Sequence, residues 1–240
     1  MEPERPLVCL LRTGVEGDPY QAALEAAGYR VVSQPVLTFR WVDPEALSAA
    51  LGASHRWGGL ILTSPRAAEA LARVWTDAHA RAWRGRTVFA VGPRTADGAR
   101  ALGLAPEGEE AGEAHALAER IAGRPFAAPL LFLCGDRRRD ELPRALAAAG
   151  IAVREQVVYE TRLRTGFALD PWPDWLVFFS PSGVEAVQQN VLIDPRRARC
   201  AAIGPTTAAA LRAAGWPPAA VAPAPTPEGL VTSLQAAACM

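Results

Sequence analysis

Lysine is missing from this chain: all 25 of its basic residues are arginine. No side chain can then act as an amine nucleophile, which excludes Schiff-base aldolases, pyridoxal-phosphate enzymes and the phosphate-binding lysine of P-loop proteins. Net charge is missing too, since 25 acidic residues balance the arginines. A neutral chain has no general pull on nucleic acid or an anionic membrane, so an anionic partner must be held by locally placed groups. No apolar run is long enough to span a bilayer, and Met1 to Pro6 carries two acids before a run of only five apolar residues, Leu7 to Leu11. That is neither a spanning helix nor a secretory signal, and a cytoplasmic (cytosolic) protein is expected.

Several catalytic signatures are absent as well. No Cys-x-x-Cys occurs; Cys9, Cys134 and Cys200 sit in apolar runs and Cys239 near the end, which points to buried thiols in a reducing compartment. His55, His79 and His115 lie in polar contexts without His-x-x-x-His spacing or a Glu partner, so they are expected at the surface and no metal site is expected. No Gly-x-Gly-x-x-Gly follows a strand, and Ser180 lacks the Gly-x-Ser-x-Gly elbow and a placed histidine base.

What the chain does have is 50% hydrophobic residues arranged as short apolar runs alternating with Ala- and Leu-rich amphipathic stretches. The pairs are Leu7–Leu11 with Pro19–Ala27, Leu60–Thr63 with Ala67–Val74, Thr87–Val91 with Thr95–Leu102, Leu130–Leu133 with Glu141–Ala149, Trp175–Phe179 with Val184–Val191, and Ala201–Ile203 with Thr207–Ala214. Strand then helix, repeated, predicts an α/β fold with parallel sheets flanked by helices. Gly28, Gly103, Gly150 and Gly215 follow helical stretches where a left-handed residue is wanted. The pattern also occurs twice. Leu24-Glu-Ala-Ala-Gly28, Ser64-Pro65 and Gly92-Pro93-x-Thr95-Ala96 return as Leu146-Ala-Ala-Ala-Gly150, Ser180-Pro181 and Gly204-Pro205-x-Thr207-Ala208, about 120 residues further on. This repetition predicts two similar α/β domains, with a ligand expected outside the carboxyl ends of their strands, in a cleft between them. Tyr29 to Phe39 and Ala152 to Thr161 are β-branched and long for a strand, and predict two bridging strands, with Pro35 marking a break or an edge. Ala219 to Ala222 predicts a last strand before a helix opening at Thr226-Pro227-Glu228.

Ser64 and Ser180 suit helix N-caps, with Pro65 and Pro181 at the first helical position, where a missing N–H is no loss. That alone accounts for them structurally. A functional reading sits beside it: four helix N-termini present free backbone N–H groups next to the hydroxyls of Thr95, Ser180, Ser182, Thr206 and Thr207, a lysine-free way to hold carboxylates. Each charge-assisted hydrogen bond contributes about 1.5–3 kcal/mol. Tyr159 is the candidate proton donor, against the plainer reading of a packed β-strand aromatic. Arg137-Arg-Arg139 suits either anion guidance or a solvated charge run.

Leu-Thr-Ser-Pro-Arg-Ala (62–67), Val-Tyr-Glu-Thr (158–161), Phe-Phe-Ser-Pro-Ser-Gly (178–183), Ala-Ile-Gly-Pro-Thr-Thr-Ala (202–208) and Pro-Thr-Pro-Glu-Gly-Leu (225–230) together resemble the uroporphyrinogen-III synthase family. The run from Leu133 to Ala152 is similar to its eukaryotic branch, and the likeness extends from Leu7 to Leu234. The resemblance implies two α/β domains joined by a two-strand β ladder. One would comprise residues 1–34 with 163–240, the other 41–151, with 35–40 and 152–162 connecting them. It also implies an activity: hydroxymethylbilane, a linear polycarboxylate tetrapyrrole, loses water and closes to uroporphyrinogen III with inversion of ring D through a spiro intermediate. No cofactor is implied. By position in the family's motifs, Ser64, Arg66, Thr95, Ser180, Thr206 and Thr207 face the substrate, and Tyr159 assists departure of the hydroxyl. Where the family uses Lys, Arg199 is the candidate replacement. The expected partner is this small molecule alone, with no nucleic acid or membrane, acting on a monomer. The alternative function is a non-catalytic two-domain protein that binds a small anion. A glycosyl- or nucleotidyl-transferase is a further rival, opposed by the missing metal-binding acids.

Overall fold

The computed structural model describes residues 5–111, 114–137 and 140–238. It divides into two compact units, Met1–Thr38 with Arg162–Met240, and Phe39–Thr161.

The chain opens in the first unit with β1 (Leu7–Leu11), α1 (Pro19–Ala26) and β2 (Arg30–Ser33). The chain passes into the second unit within β3 (Leu37–Trp41), and α2 (Pro44–Gly52), β4 (Gly59–Leu62), α3 (Pro65–Val74), α4 (Asp77–Trp83), β5 (Val88–Ala90) and α5 (Pro93–Arg100) follow. It continues through β6 (Pro106–Glu107), α6 (Ala114–Ala122), β7 (Leu130–Gly135), α7 (Glu141–Ala148) and the long β8 (Val153–Leu163), whose last two residues belong to the first unit. The first unit is then completed by β9 (Trp175–Phe178), α8 (Pro181–Gln188), β10 (Arg199–Ala202), α9 (Pro205–Ala213), β11 (Ala220–Val221) and α10 (Pro227–Ala238).

The first unit's sheet runs β11-β10-β9-β1-β2 with every pairing parallel. Its strands read as apolar runs because both faces are covered. Period-two alternation sends Cys9, Leu11, Leu176 and Phe178 to one face, under α8 and α9. Val8, Leu10, Trp175 and Val177 go to the other, under Leu24 of α1 and Leu230 and Leu234 of α10.

The second sheet runs β3-β8-β7-β4-β5-β6, parallel from β8 to β6. Leu60, Leu62, Leu131 and Leu133 face α2, α3 and Trp83, while Ile61, Phe89, Phe132 and Cys134 face α6 and α7. Only β3 runs the other way. Val42 N–H donates to Val158 O and Arg164 N–H to Val36 O, so the numbers fall on β8 as they rise on β3.

Tyr29 to Phe39 is not one strand. Residues 30–33 pair with β1, and residues 37–41 join β8 in the other sheet. The chain leaves sheet geometry at 34–36, where Pro35 lacks a ladder N–H. The alternation of apolar runs had not signalled α2, α4 or α6. His79 also departs from expectation: it is buried, with Nδ1 3.0 Å from Val74 O and Nε2 3.2 Å from Ser48 O. His55 is exposed, and His115 does meet a glutamate, Glu119, one helical turn away at 3.5 Å. Cys239, Arg138 and Arg139 lie outside the described residues.

Candidate functional site

In the second unit, the adjacent strands β7, β4 and β5 end beside one another, and the residues just past each end are chemically distinctive. After β4, Ser64 caps α3 and its Oγ accepts the Ala67 N–H at 3.1 Å, with Pro65 in the first turn. At the end of β7, Gly135 leaves room for Tyr159: a Cβ there would lie 2.5 Å from Tyr159 Cζ and 2.8 Å from its Oη. The register between β7 and β8 shifts at Cys134/Gly135. Tyr159 Oη then reaches Ser64 Oγ at 3.1 Å. Phe39 of β3 stands edge-on to the tyrosine ring, centroids 5.9 Å apart, and Arg66 lies over Phe39 with Cζ 4.4 Å from its centroid. Both Glu69 oxygens hold Arg66 at 2.7 Å, so its charge is already balanced.

After β5 the helix start differs. Gly92 is the N-cap of α5, at φ 75°, and carries no side chain to cap the first turn. Thr95 in that turn is buried, 2% exposed, and its hydroxyl makes no hydrogen bond among the described residues.

The first unit repeats both arrangements at the ends of β9 and β10. Ser180 caps α8, its Oγ accepting the Gly183 N–H at 3.2 Å, and Ser182 is half-buried in the first turn. Gly204 opens α9, again without a side-chain cap. Thr207 is buried at 3% exposure with no hydrogen bond from its hydroxyl among the described residues, while Thr206 is exposed.

The expectation of four equally free N-termini therefore needs correcting. At α3 and α8 the serine consumes an amide of the first turn; at α5 and α9 glycine leaves those amides without a side-chain acceptor. Arg199 is corrected too. It is the first residue of β10, at the amino edge of the sheet, whereas Thr207 lies past the carboxyl edge. Parallel strands cannot bring those two edges together.

Sequence reasoning missed Arg12. It directly follows β1, and its guanidinium lies 4.8 Å from the Phe179 ring centroid and 5.3 Å from that of Tyr20. Buried Asp18 holds it at 3.6 Å and caps α1 through Tyr20 N. An arginine immediately after a central strand was the available signal. Gly135 was missed as well, because nothing local says which side chain needs its space.

No three His, Cys, Asp or Glu side chains gather as metal ligands among the described residues. The buried thiols are poor nucleophiles, since burial pushes Cys9 up to about 12 and Cys200 up to about 11.

Fold and site together define a two-unit α/β protein with doubled helix N-termini at the carboxyl ends of parallel strands. Comparison with known proteins agrees. The profile of the family described as uroporphyrinogen-III synthase HemD matches residues 18–232. The uroporphyrinogen-III synthase of Schizosaccharomyces pombe is 32% identical over 235 residues, covering 91% of this chain and 92% of that protein. The Saccharomyces cerevisiae enzyme of the same name is 34% identical over 206 residues, 73% of this chain and 74% of that one. The crystal structure of Helicobacter pylori uroporphyrinogen-III synthetase superposes with TM-score 0.64 at 18% identity, over 97% of this chain and 99% of that one. A mutant synthase from Thermus thermophilus shares the fold at TM-score 0.55 and 18% identity, over 98% and 99%. The chain belongs to the uroporphyrinogen-III synthase family.

Proposed function

We propose that this chain is a cofactor-independent lyase that closes hydroxymethylbilane to uroporphyrinogen III, with loss of water and inversion of ring D. The observation that carries the reading is the matched pair of helix starts at α5 and α9: each has a glycine cap that leaves first-turn amides without a side-chain acceptor, and each carries a threonine in that turn, Thr95 and Thr207. Helix-start amides without a side-chain acceptor, with a hydroxyl beside them, suit an anionic acceptor from outside the chain. A polycarboxylate supplies such acceptors, at helix ends whose dipoles favour negative charge. Family membership favours turnover over a non-catalytic anion-binding module.

The chemistry asks little of the side chains. When the terminal hydroxyl departs, the adjoining pyrrole nitrogen supplies the electron pair that forms the azafulvene. The hydroxyl needs a proton to leave as water. If Ser64 takes the Ala67 N–H and donates its own proton to Tyr159 Oη, the Tyr159 proton is free for that hydroxyl. The remaining task is holding the bilane so that the spiro route precedes direct closure. Orientation of this kind supplies roughly 7–11 kcal/mol. A cytosolic monomer belongs to the same proposal; light scattering after gel filtration tests the monomer.

The direct test mixes purified protein with hydroxymethylbilane, oxidises the products and measures the ratio of type III to type I porphyrin. Spontaneous closure gives type I. Dominant type III supports the reading, and unchanged type I from folded protein overturns it.

A further inference from the structure

At the amino edge of the first unit's sheet, away from the carboxyl ends of the strands, lies a cavity of about 620 Å³. Its wall is built from the starts of three strands and their preceding turns: Pro6, Trp172 to Trp175, and Arg196 to Arg199. Three guanidiniums line it against one carboxylate, in a chain whose total charge is zero.

Those guanidiniums are not equivalent. Arg196 is neutralised by Asp194, with Nε 2.9 Å from Oδ1. Arg196, by hydrogen bonds first and charge second, and then Arg197 by charge alone hold the Asp194 carboxyl below its ordinary range. Arg197 and Arg199 have no ion pair among the described residues. Each is instead placed on an indole: Arg197 Cζ lies 4.2 Å from the Trp172 centroid and Arg199 Cζ 5.4 Å from that of Trp175. Arg199 is further held by the Ala237 carbonyl at 3.3 Å. The lining carboxylate, Asp174, accepts the Leu7 N–H at 2.7 Å. Trp172 contributes its ring to the wall; its Nε1–H is buried, with no hydrogen-bond partner among the described residues.

We propose that this cavity is a second ligand site, taking a small multiply charged oxyanion between Arg197, Arg199 and Trp172. A guanidinium laid on an aromatic ring is weakly hydrated and keeps its N–H fork for carboxylate or phosphate oxygens. Two such groups, both outside ion-pair distance of a carboxylate among the described residues, make a local positive field. The volume is that of a small-molecule pocket. Because α10 contributes Ala237 and Ala238 to the surroundings, occupancy ties the end of that helix to the strand starts. This second site is independent of the synthase reading, which concerns the opposite edge of the sheet.

Citrate and inorganic pyrophosphate are the probes, titrated by calorimetry and by amide chemical-shift mapping into wild type, Arg197→Gln, Trp172→Phe and Thr207→Val. Melting temperature checks each variant's fold. Expected is saturable one-to-one binding, with shifts at residues 172–175 and 196–199. Arg197→Gln should weaken it at least ten-fold, Trp172→Phe should weaken it less, and Thr207→Val should leave it unchanged. Binding of citrate alone identifies a carboxylate ligand and of pyrophosphate alone a phosphate one. Absence of saturable binding by both overturns the site. So does binding that survives Arg197→Gln or is lost in Thr207→Val, which would put the anion at the carboxyl ends instead.

Discussion

Tyr159 and Ser64, 95 residues apart, hold their hydroxyl oxygens 3.1 Å from each other, and Ser64 at the same time caps α3. One atom thus serves both a helix end and a phenol, which separates two substitutions. Tyr159→Phe removes the proposed donor and keeps the cap; it should lower kcat by about a hundred-fold, within the range of general-acid contributions, with little change in melting temperature. Ser64→Ala should cost about 1 kcal/mol of stability as well. Full turnover by Tyr159→Phe in the bilane assay would end the acid assignment while leaving substrate binding intact.

Gly135→Ala tests whether the position of Tyr159 matters rather than its hydroxyl alone. An added Cβ would lie 2.5 Å from Cζ and 2.6 Å from Cε2, so the ring must shift from its present seat. Loss of activity approaching that of Tyr159→Phe, with an unchanged far-ultraviolet circular dichroism spectrum, is expected. Unimpaired kcat would show that the ring's seat is immaterial.

Thr95→Val and Thr207→Val should dissociate stability from function. Neither hydroxyl has a partner in the described chain, so an isosteric methyl should leave melting temperature unchanged or slightly higher. If each hydroxyl meets a substrate carboxylate, kcat/KM should fall roughly ten- to hundred-fold, the equivalent of about 1.5–3 kcal/mol. A large drop in melting temperature with unchanged kcat/KM would assign these threonines to the fold instead.

The thiols give a pH dependence with a definite sign. Burial raises Cys9 to about 12 and Cys200 to about 11 from an ordinary 9.0. Above pH 9 the unfolded chain gives up protons that the folded chain keeps, so stability falls as pH rises through 9 to 12 and is unaffected by these groups below 9. At pH 8 both thiols should resist a disulfide reagent until denaturant is added. Rapid labelling of Cys9 in native protein would contradict its burial.

The helix starts were legible from residue order because capping is local. Ser-Pro and Gly-Pro needed only the next few residues to declare where α3, α5, α8 and α9 begin. Apolar runs declared β1, β4 and β9 because strands covered on both faces admit little else. α4 was not legible: it is seven residues long and follows no strand. His79 looked exposed among Asp77, Ala78 and Ala80, yet α4 turns it toward two carbonyls from elsewhere in the chain.

By itself, the order of amino acids determined the alternation of strand and helix, its repetition, the capping chemistry and the lysine-free character of any anion site. These rest on backbone preferences and hydrophobic period, which act over a few residues. Tertiary structure alone decided that Tyr159 meets Ser64 across the space Gly135 leaves. It also decided that Arg66 is already neutralised, and that Arg199 stands at the edge of the sheet opposite Thr207. Those outcomes depend on strand order, direction and register, which arise when distant segments pair and which no local preference encodes.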